Sequence, residues 1–243
     1  MDTNAPEWSI ASDPADGDDG VDRQRRIIIE LGRSPLPSSV TRSNLSLRSG
    51  QIDYWLDFRL QPLHRELWIT ARGALEPDTT YALEVRGLVD LDGVARPEPY
   101  RALFRTGREL GHLEPEPAID AQAVLALLES RCGRATCHAS DESAAGLNLA
   151  TAAGIETTAR NMGTQRSMNV RGLPPRGSLF LAAPLIIAAN PMRGEPERSY
   201  LVYKLMGDEH IVGARMPPNS EDALSESEIQ LVIDWIYVGA PTQ

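Results

Sequence analysis

Cys132-Gly-Arg-Ala-Thr-Cys137-His138 contains the only two cysteines of the 243-residue chain, and a histidine follows the second directly. Two thiols can add across the vinyl groups of a haem, and an adjacent imidazole can then lie beneath the iron as its proximal ligand. The common spacing for covalent haem is Cys-x-x-Cys-His, whereas four residues separate the thiols here. The same two cysteines can instead close a small disulfide loop in an oxidising compartment. Downstream, Met216 in Arg215-Met216-Pro217-Pro218 offers a soft thioether on a stiff Pro-Pro loop. With His138 it makes a candidate axial pair for iron that favours the reduced metal. His210, in Asp208-Glu-His-Ile, is the rival for the distal position, and an exposed histidine beside two acids is its plainer reading. If the cysteines are bridged, imidazole and thioether suit copper. Met162, Met168, Met192 and Met206 read as packing residues, and His64 and His112 as solvated ones.

Helices must position these groups. Asp120 can cap a helix whose apolar stripe is Val124, Leu125, Leu127 and Leu128, ending at Cys132 and Gly133. Ser225 with Glu228 three residues on is a capping box. It opens a second helix in which Ile229, Val232, Ile233 and Ile236 recur at helical spacing beside Trp235, and Gly239-Ala-Pro241 ends it. Between them, 157–191 mixes Arg160, Arg166, Arg171 and Arg176 with the apolar run 179–187, and these arginines are candidate partners for haem propionates.

The first half reads differently. Short alternating or apolar runs at 26–30, 44–48, 51–60, 66–70, 81–85 and 102–106 are punctuated by Pro, Gly and Asp clusters, the pattern of a β-sandwich over 23–108. In the run 51–60, Ile52, Tyr54, Leu56 and Phe58 are expected on one face. Residues 1–22, with the acidic Asp13-Pro-Ala-Asp-Gly-Asp-Asp-Gly20, are expected to form a flexible tether. Residues 109–118 are a Pro-punctuated linker.

Composition narrows the partners. Apolar residues make up 42%, enough for real cores, and the formal net charge is −10. An acidic chain with Lys204 as its only lysine lacks the clustered basic surface that phosphate contacts need, which argues against nucleic acid. No run of 18 apolar residues is present, so no transmembrane span is expected. The start Met1-Asp2-Thr3-Asn4 is not a secretory leader.

Two resemblances follow from particular residues. Ser34-Pro-Leu-Pro-Ser-Ser-Val40, Leu75–Leu83, Val89-Asp-Leu-Asp-Gly93 and Phe104-Arg-Thr-Gly107 resemble the bacterial Ig-like domains of surface-layer type. Over 112–243, the Cys132/Cys137/His138 motif, Ala145-Gly-Leu-Asn-Leu149, Pro196–Val202, Lys204-Leu-Met-Gly207, Arg215–Pro218 and Leu224–Ala240 resemble the cytochrome c domains of bacterial envelope proteins. Together they imply a multidomain chain: an all-β Ig-like sandwich, then a mainly α cytochrome c-like domain over 119–243. That domain would carry one covalent haem c on Cys132 and Cys137, with His138 and Met216 as axial ligands. Its expected role is one-electron transfer, not enzymatic catalysis, with a redox partner that presents a basic docking face. The expected location is the periplasm or cell surface of a Gram-negative bacterium, with the leader absent from this chain and a possible lipid anchor upstream of residue 1. A second reading is a haem-free surface-binding or assembly module stapled by a Cys132–Cys137 disulfide.

Overall fold

The computed structural model describes residues 8–112, 118–140, 144–159 and 195–242. Two compact units divide the chain, Met1–Glu116 and Pro117–Gln243.

The first unit is built from eight strands: β1 (Ile10–Asp13), β2 (Ile27–Leu31), β3 (Leu45–Ser49), β4 (Ile52–Asp53), β5 (Leu56–Gln61), β6 (Glu66–Ala71), β7 (Thr80–Val85) and β8 (Tyr100–Arg105). They form two antiparallel four-stranded sheets, ordered β1-β2-β6-β5 and β4-β3-β7-β8. Period-two alternation explains the core. Ile27, Ile29, Phe58, Leu67 and Ile69 are buried from one sheet, and Leu45, Leu47, Tyr81, Leu83 and Phe104 from the other. Each sheet therefore has one apolar face to hide, and packing the two faces together is how both are hidden. Tyr81 stacks on Phe104 at 5.7 Å between ring centroids and meets Tyr54 edge-on at 5.2 Å. Its buried hydroxyl accepts from the Glu76 N–H and donates to the Tyr54 hydroxyl, so no polar atom is orphaned there.

Two expectations for this half are corrected. Residues 10–22 are not a tether. Strand β1 pairs with β2 from Ile10↔Leu31 to Asp13↔Ile28, and the acidic run after it lies along the outer edge of β8. There Gly17 N–H donates to Leu103 O at 2.7 Å, Arg105 N–H to Asp18 O at 2.8 Å, Val21 N–H to Arg105 O at 3.1 Å and Gly107 N–H to Val21 O at 2.9 Å. An edge strand offers a row of open backbone donors and acceptors, and this run satisfies them. The linker's first residues join the same arrangement, with Arg23 and Gln24 donating to the carbonyls of Glu109 and Leu110. The run 51–60 is also not one strand. It breaks at Tyr54, where the chain leaves one sheet for the other, so Ile52 faces solvent while Leu56 and Phe58 are buried.

The loop after β7 is held by a buried carboxylate. Asp90 is 2% exposed; its Oδ1 accepts from the N–H groups of Asp92 and Val94, and Oδ2 pairs with Arg33 Nε at 2.6 Å.

In the second unit, the expected mainly α cytochrome c-like domain is not found. Its described residues hold four short helices, α1 (Ala121–Arg131), α2 (Ala152–Thr158), α3 (Tyr200–Met206) and α4 (Glu226–Tyr237), joined by 3-10 turns and loops. The eight strands described in the chain all lie in the first unit. Helix α4 is central. Val232, Ile233, Trp235 and Ile236 are fully buried, and α1 and α3 both pack on it. Its start carries the capping box, with Ser225 Oγ accepting from Glu228 N–H and Glu228 accepting from Ser225 N–H. Arg131 then ties the end of α1 to Glu228 at 3.2 Å. Arg160, Arg166, Arg171, Arg176, Met162, Met168, Met192 and the run 179–187 lie outside the described residues.

Replacing Asp90 by alanine removes the acceptor for two backbone N–H groups and leaves Arg33 without its buried partner. The expected loss is about 3 kcal/mol of unfolding free energy, read from urea titrations followed by tryptophan fluorescence. A loss under about 0.5 kcal/mol would show that the loop does not depend on this carboxylate.

Candidate functional site

The cysteine–histidine segment begins where α1 ends. Asp120 Oδ1 caps α1 by accepting from Gln122 and Ala123 N–H. At the other end Cys132 and Gly133 both donate to Leu128 O, and the chain turns. Gly133 must be glycine, because a Cβ there would meet the Ala150 Cα at 2.7 Å and Glu129 O at 2.9 Å. Cys137 N–H then donates to Arg134 O, His138 N–H returns to Cys132 O at 3.1 Å, and Leu149 N–H donates to His138 O. Arg134 anchors the turn on Asp222 through two contacts of 3.0 and 3.2 Å. The turn thus brings Cys132, Cys137 and His138 together, as a closed loop of backbone.

The electrostatics of the three groups differ. Cys132 is 8% exposed, and both cysteines are free thiols. Burial, helped by the charge of the Cys137 thiolate, pushes the Cys132 thiol up to about 11, with Arg134 and Arg131 opposing. Burial lowers the His138 imidazole; the carbonyls of Leu147 and Ala144 oppose this and the Lys204 ammonium reinforces it. His138 Nδ1 is buried and makes no hydrogen bond.

Met216 and His210 sit on the loop after α3. That loop folds back on its own helix. Met216 N–H donates to Lys204 O, Arg215 Nε to Leu205 O, Val212 N–H to the Tyr200 hydroxyl, and Lys204 Nζ to Val212 O and Ala214 O. His210 is engaged by Asp208, whose Oδ1 lies 2.9 Å from both its Nδ1 and its backbone nitrogen. Asp208 is fully buried.

These placements overturn the haem reading. Among the described residues no group of three or more His, Cys, Asp or Glu side chains is placed to hold a metal ion. The two cysteines are not in a haem-binding arrangement with His138: one thiol is buried and strongly protonated at the end of α1, and Gly133 beside it is closed off by Ala150. The covalent haem c on Cys132 and Cys137, its axial pair His138 and Met216, and the one-electron transfer built on them are therefore corrected, and the redox partner loses its basis with them.

A second site, missed in the sequence, lies where the chain crosses between sheets. Ile52 and Trp55 are each 62% exposed. The Arg42 guanidinium lies over the Trp55 ring at 3.6 Å from its centroid, and Arg72 lies at 5.8 Å. Arg72 pairs with Asp57 at 2.6 Å, and Arg48 with Asp53 at 3.4 Å. An exposed Arg–Trp stack contributes about 0.5–1 kcal/mol. The signal available was Trp55, an apolar residue out of phase with the alternation of Ile52, Tyr54, Leu56 and Phe58.

No protein-family model matches the chain, and no curated protein matches it in sequence. Among solved structures it is similar to the surface-layer protein SbsC, domains 1–6, at 14% identity and a TM-score of 0.34, over 48% of this chain and 15% of that one. It is also similar to CopC from Methylosinus trichosporium OB3b, at 15% identity and a TM-score of 0.36, over 44% of this chain and 100% of that one. Likenesses this distant carry no statement of activity.

The buried thiol gives a pH signature. Cys132 should alkylate about tenfold faster for each pH unit between 7 and 10, because its thiolate fraction grows until about pH 11. Peptide mass spectrometry after timed iodoacetamide labelling measures this. A rate that levels off below pH 9 would contradict the burial.

Proposed function

We propose that this chain is a non-catalytic binding and assembly module that works outside the cytoplasm, at the periplasmic or surface side of a bacterial envelope. The exposed Ile52–Trp55 corner carries the reading. One edge strand of each sheet borders it, since β4 ends one sheet and β5 ends the other. The opposite edge, along β8, is sealed by residues 17–24. A sandwich that closes one edge and leaves a tryptophan and an isoleucine at the other has the composition of an interface centre, where Trp and Arg dominate.

The occupant we favour is a second copy of the chain. The corner holds both charge signs, in the pairs Arg48–Asp53 and Arg72–Asp57. A two-fold axis through it can set each arginine against the other copy's aspartate. Among the described residues no helix is long and apolar enough to cross a membrane.

A patch centred on two side chains is smaller than a standard interface of about 800 Å² per partner, so the association is weak, with a dissociation constant of about 100 μM. Salt should strengthen it, because two chains of net charge −10 repel one another. Sedimentation equilibrium from 10 μM to about 1 mM tests this. Trp55→Ala should weaken self-association about tenfold or more while leaving the thermal midpoint within a few degrees. A wild-type chain that stays monomeric throughout, or a variant that associates equally well, would overturn the reading.

A further inference from the structure

Cys132 and Cys137 are the chain's remaining unexplained chemistry, and their loop geometry singles them out. The 3.1 Å hydrogen bond from His138 N–H to Cys132 O closes the segment. The Cα of Cys132 is two covalent bonds from the acceptor oxygen, and the Cα of Cys137 is two bonds from the donor nitrogen. That hydrogen bond ties the backbone at Cys132 to the backbone at Cys137 and limits how far apart the two α-carbons can lie. The charge of Cys137 is also felt at the Cys132 thiol. Their surroundings differ: Cys132 is buried under α1, whereas Cys137 is partly exposed.

We propose that Cys132 and Cys137 form an oxidisable thiol pair that takes a small-molecule or protein disulfide as its oxidant and closes an intramolecular disulfide at the C-terminal end of α1. The step balances through two exchanges. Cys137, the accessible thiol, loses its proton and its Sγ attacks the oxidant's disulfide, forming a mixed disulfide and expelling one thiolate. Cys132 then loses its proton, attacks Cys137 Sγ and expels the second thiolate. Two protein thiols are oxidised, one external disulfide is reduced to two thiols, and no metal or oxygen is needed. The bridge fixes the turn that carries Arg134 to Asp222, and with it the approach of α1 to α4 beside the Arg131–Glu228 pair. This assignment does not depend on the self-docking reading, since the thiols and the Ile52–Trp55 corner lie in different units.

The test equilibrates the whole chain with oxidised and reduced glutathione, quenches in acid, unfolds it and alkylates with iodoacetamide. The expected product under oxidising mixtures is a monomer lighter by two hydrogens, with no alkylated cysteine and no glutathione adduct. Cys137→Ser, at the less buried position, should leave Cys132 slow to react and should abolish the bridge. Cys132→Ser should instead trap a stable glutathione adduct on Cys137, at least tenfold more abundant than any adduct on the unmutated chain. Two alkylatable thiols persisting in excess oxidised glutathione would overturn the proposal. So would doubly glutathionylated protein, or disulfide-linked dimers in place of the internal bridge.

Discussion

The backbone of an edge strand must find partners, and much of this chain's organisation follows from how that demand is met on two sides of one sandwich. Along β8 the answer is internal. A Gly- and Asp-rich run, too polar for a core, lies alongside the strand and satisfies its outward N–H and C=O groups. At the β4–β5 side the sheets end without a described neighbouring strand, and the chain places Ile52, Trp55 and the Arg42 guanidinium there. Inside, alternation gives each sheet one apolar face, and Tyr81 meets Tyr54 at the crossing between the sheets while keeping its hydroxyl satisfied.

The helical unit depends on a different constraint, the supply of partners for helix ends. Asp120 and Thr151 cap the starts of α1 and α2, and Ser225 with Glu228 caps α4. Gly207, in the left-handed region at φ +78°, ends α3 and turns the chain into the loop that returns along it. The sequence-expected ligands lie at one such end or in the loops that follow the helices. Cys132 follows the last turn of α1, and His210 and Met216 belong to the loop that α3 holds by its own carbonyls. The residues are placed by capping and return-loop hydrogen bonds, and those bonds account for their positions without a metal.

What could be read beforehand was local. The capping box of α4, its apolar stripe, the Asp120 cap and the runs that became β2, β3, β6, β7 and β8 follow from periodicity and cap chemistry, which act over a few residues. Strand β1 was hidden because Ile10–Asp13 is short and its pairing partner is distant in sequence. The break at Tyr54 was hidden because alternation continues through it, although the chain changes sheets there. The cysteine motif misled for a chemical reason. Two thiols and an imidazole at this spacing suit a haem, a disulfide or a copper ligand set, and only burial and surroundings separate those cases. Cys132 at the buried end of α1, beside the close approach of Gly133 to Ala150, is a fact of packing that spacing does not encode.

The central claim is that the sandwich edge bearing Trp55 is where the chain meets another copy of itself. Amide hydrogen exchange at low and high protein concentration reads this directly. Docking at that edge predicts added protection of the amides from Arg48 through Trp55 as concentration rises, with residues 17–24 and 103–107 unchanged. Protection that is independent of concentration at the first segment, or that appears instead along the sealed β8 edge, would contradict the account.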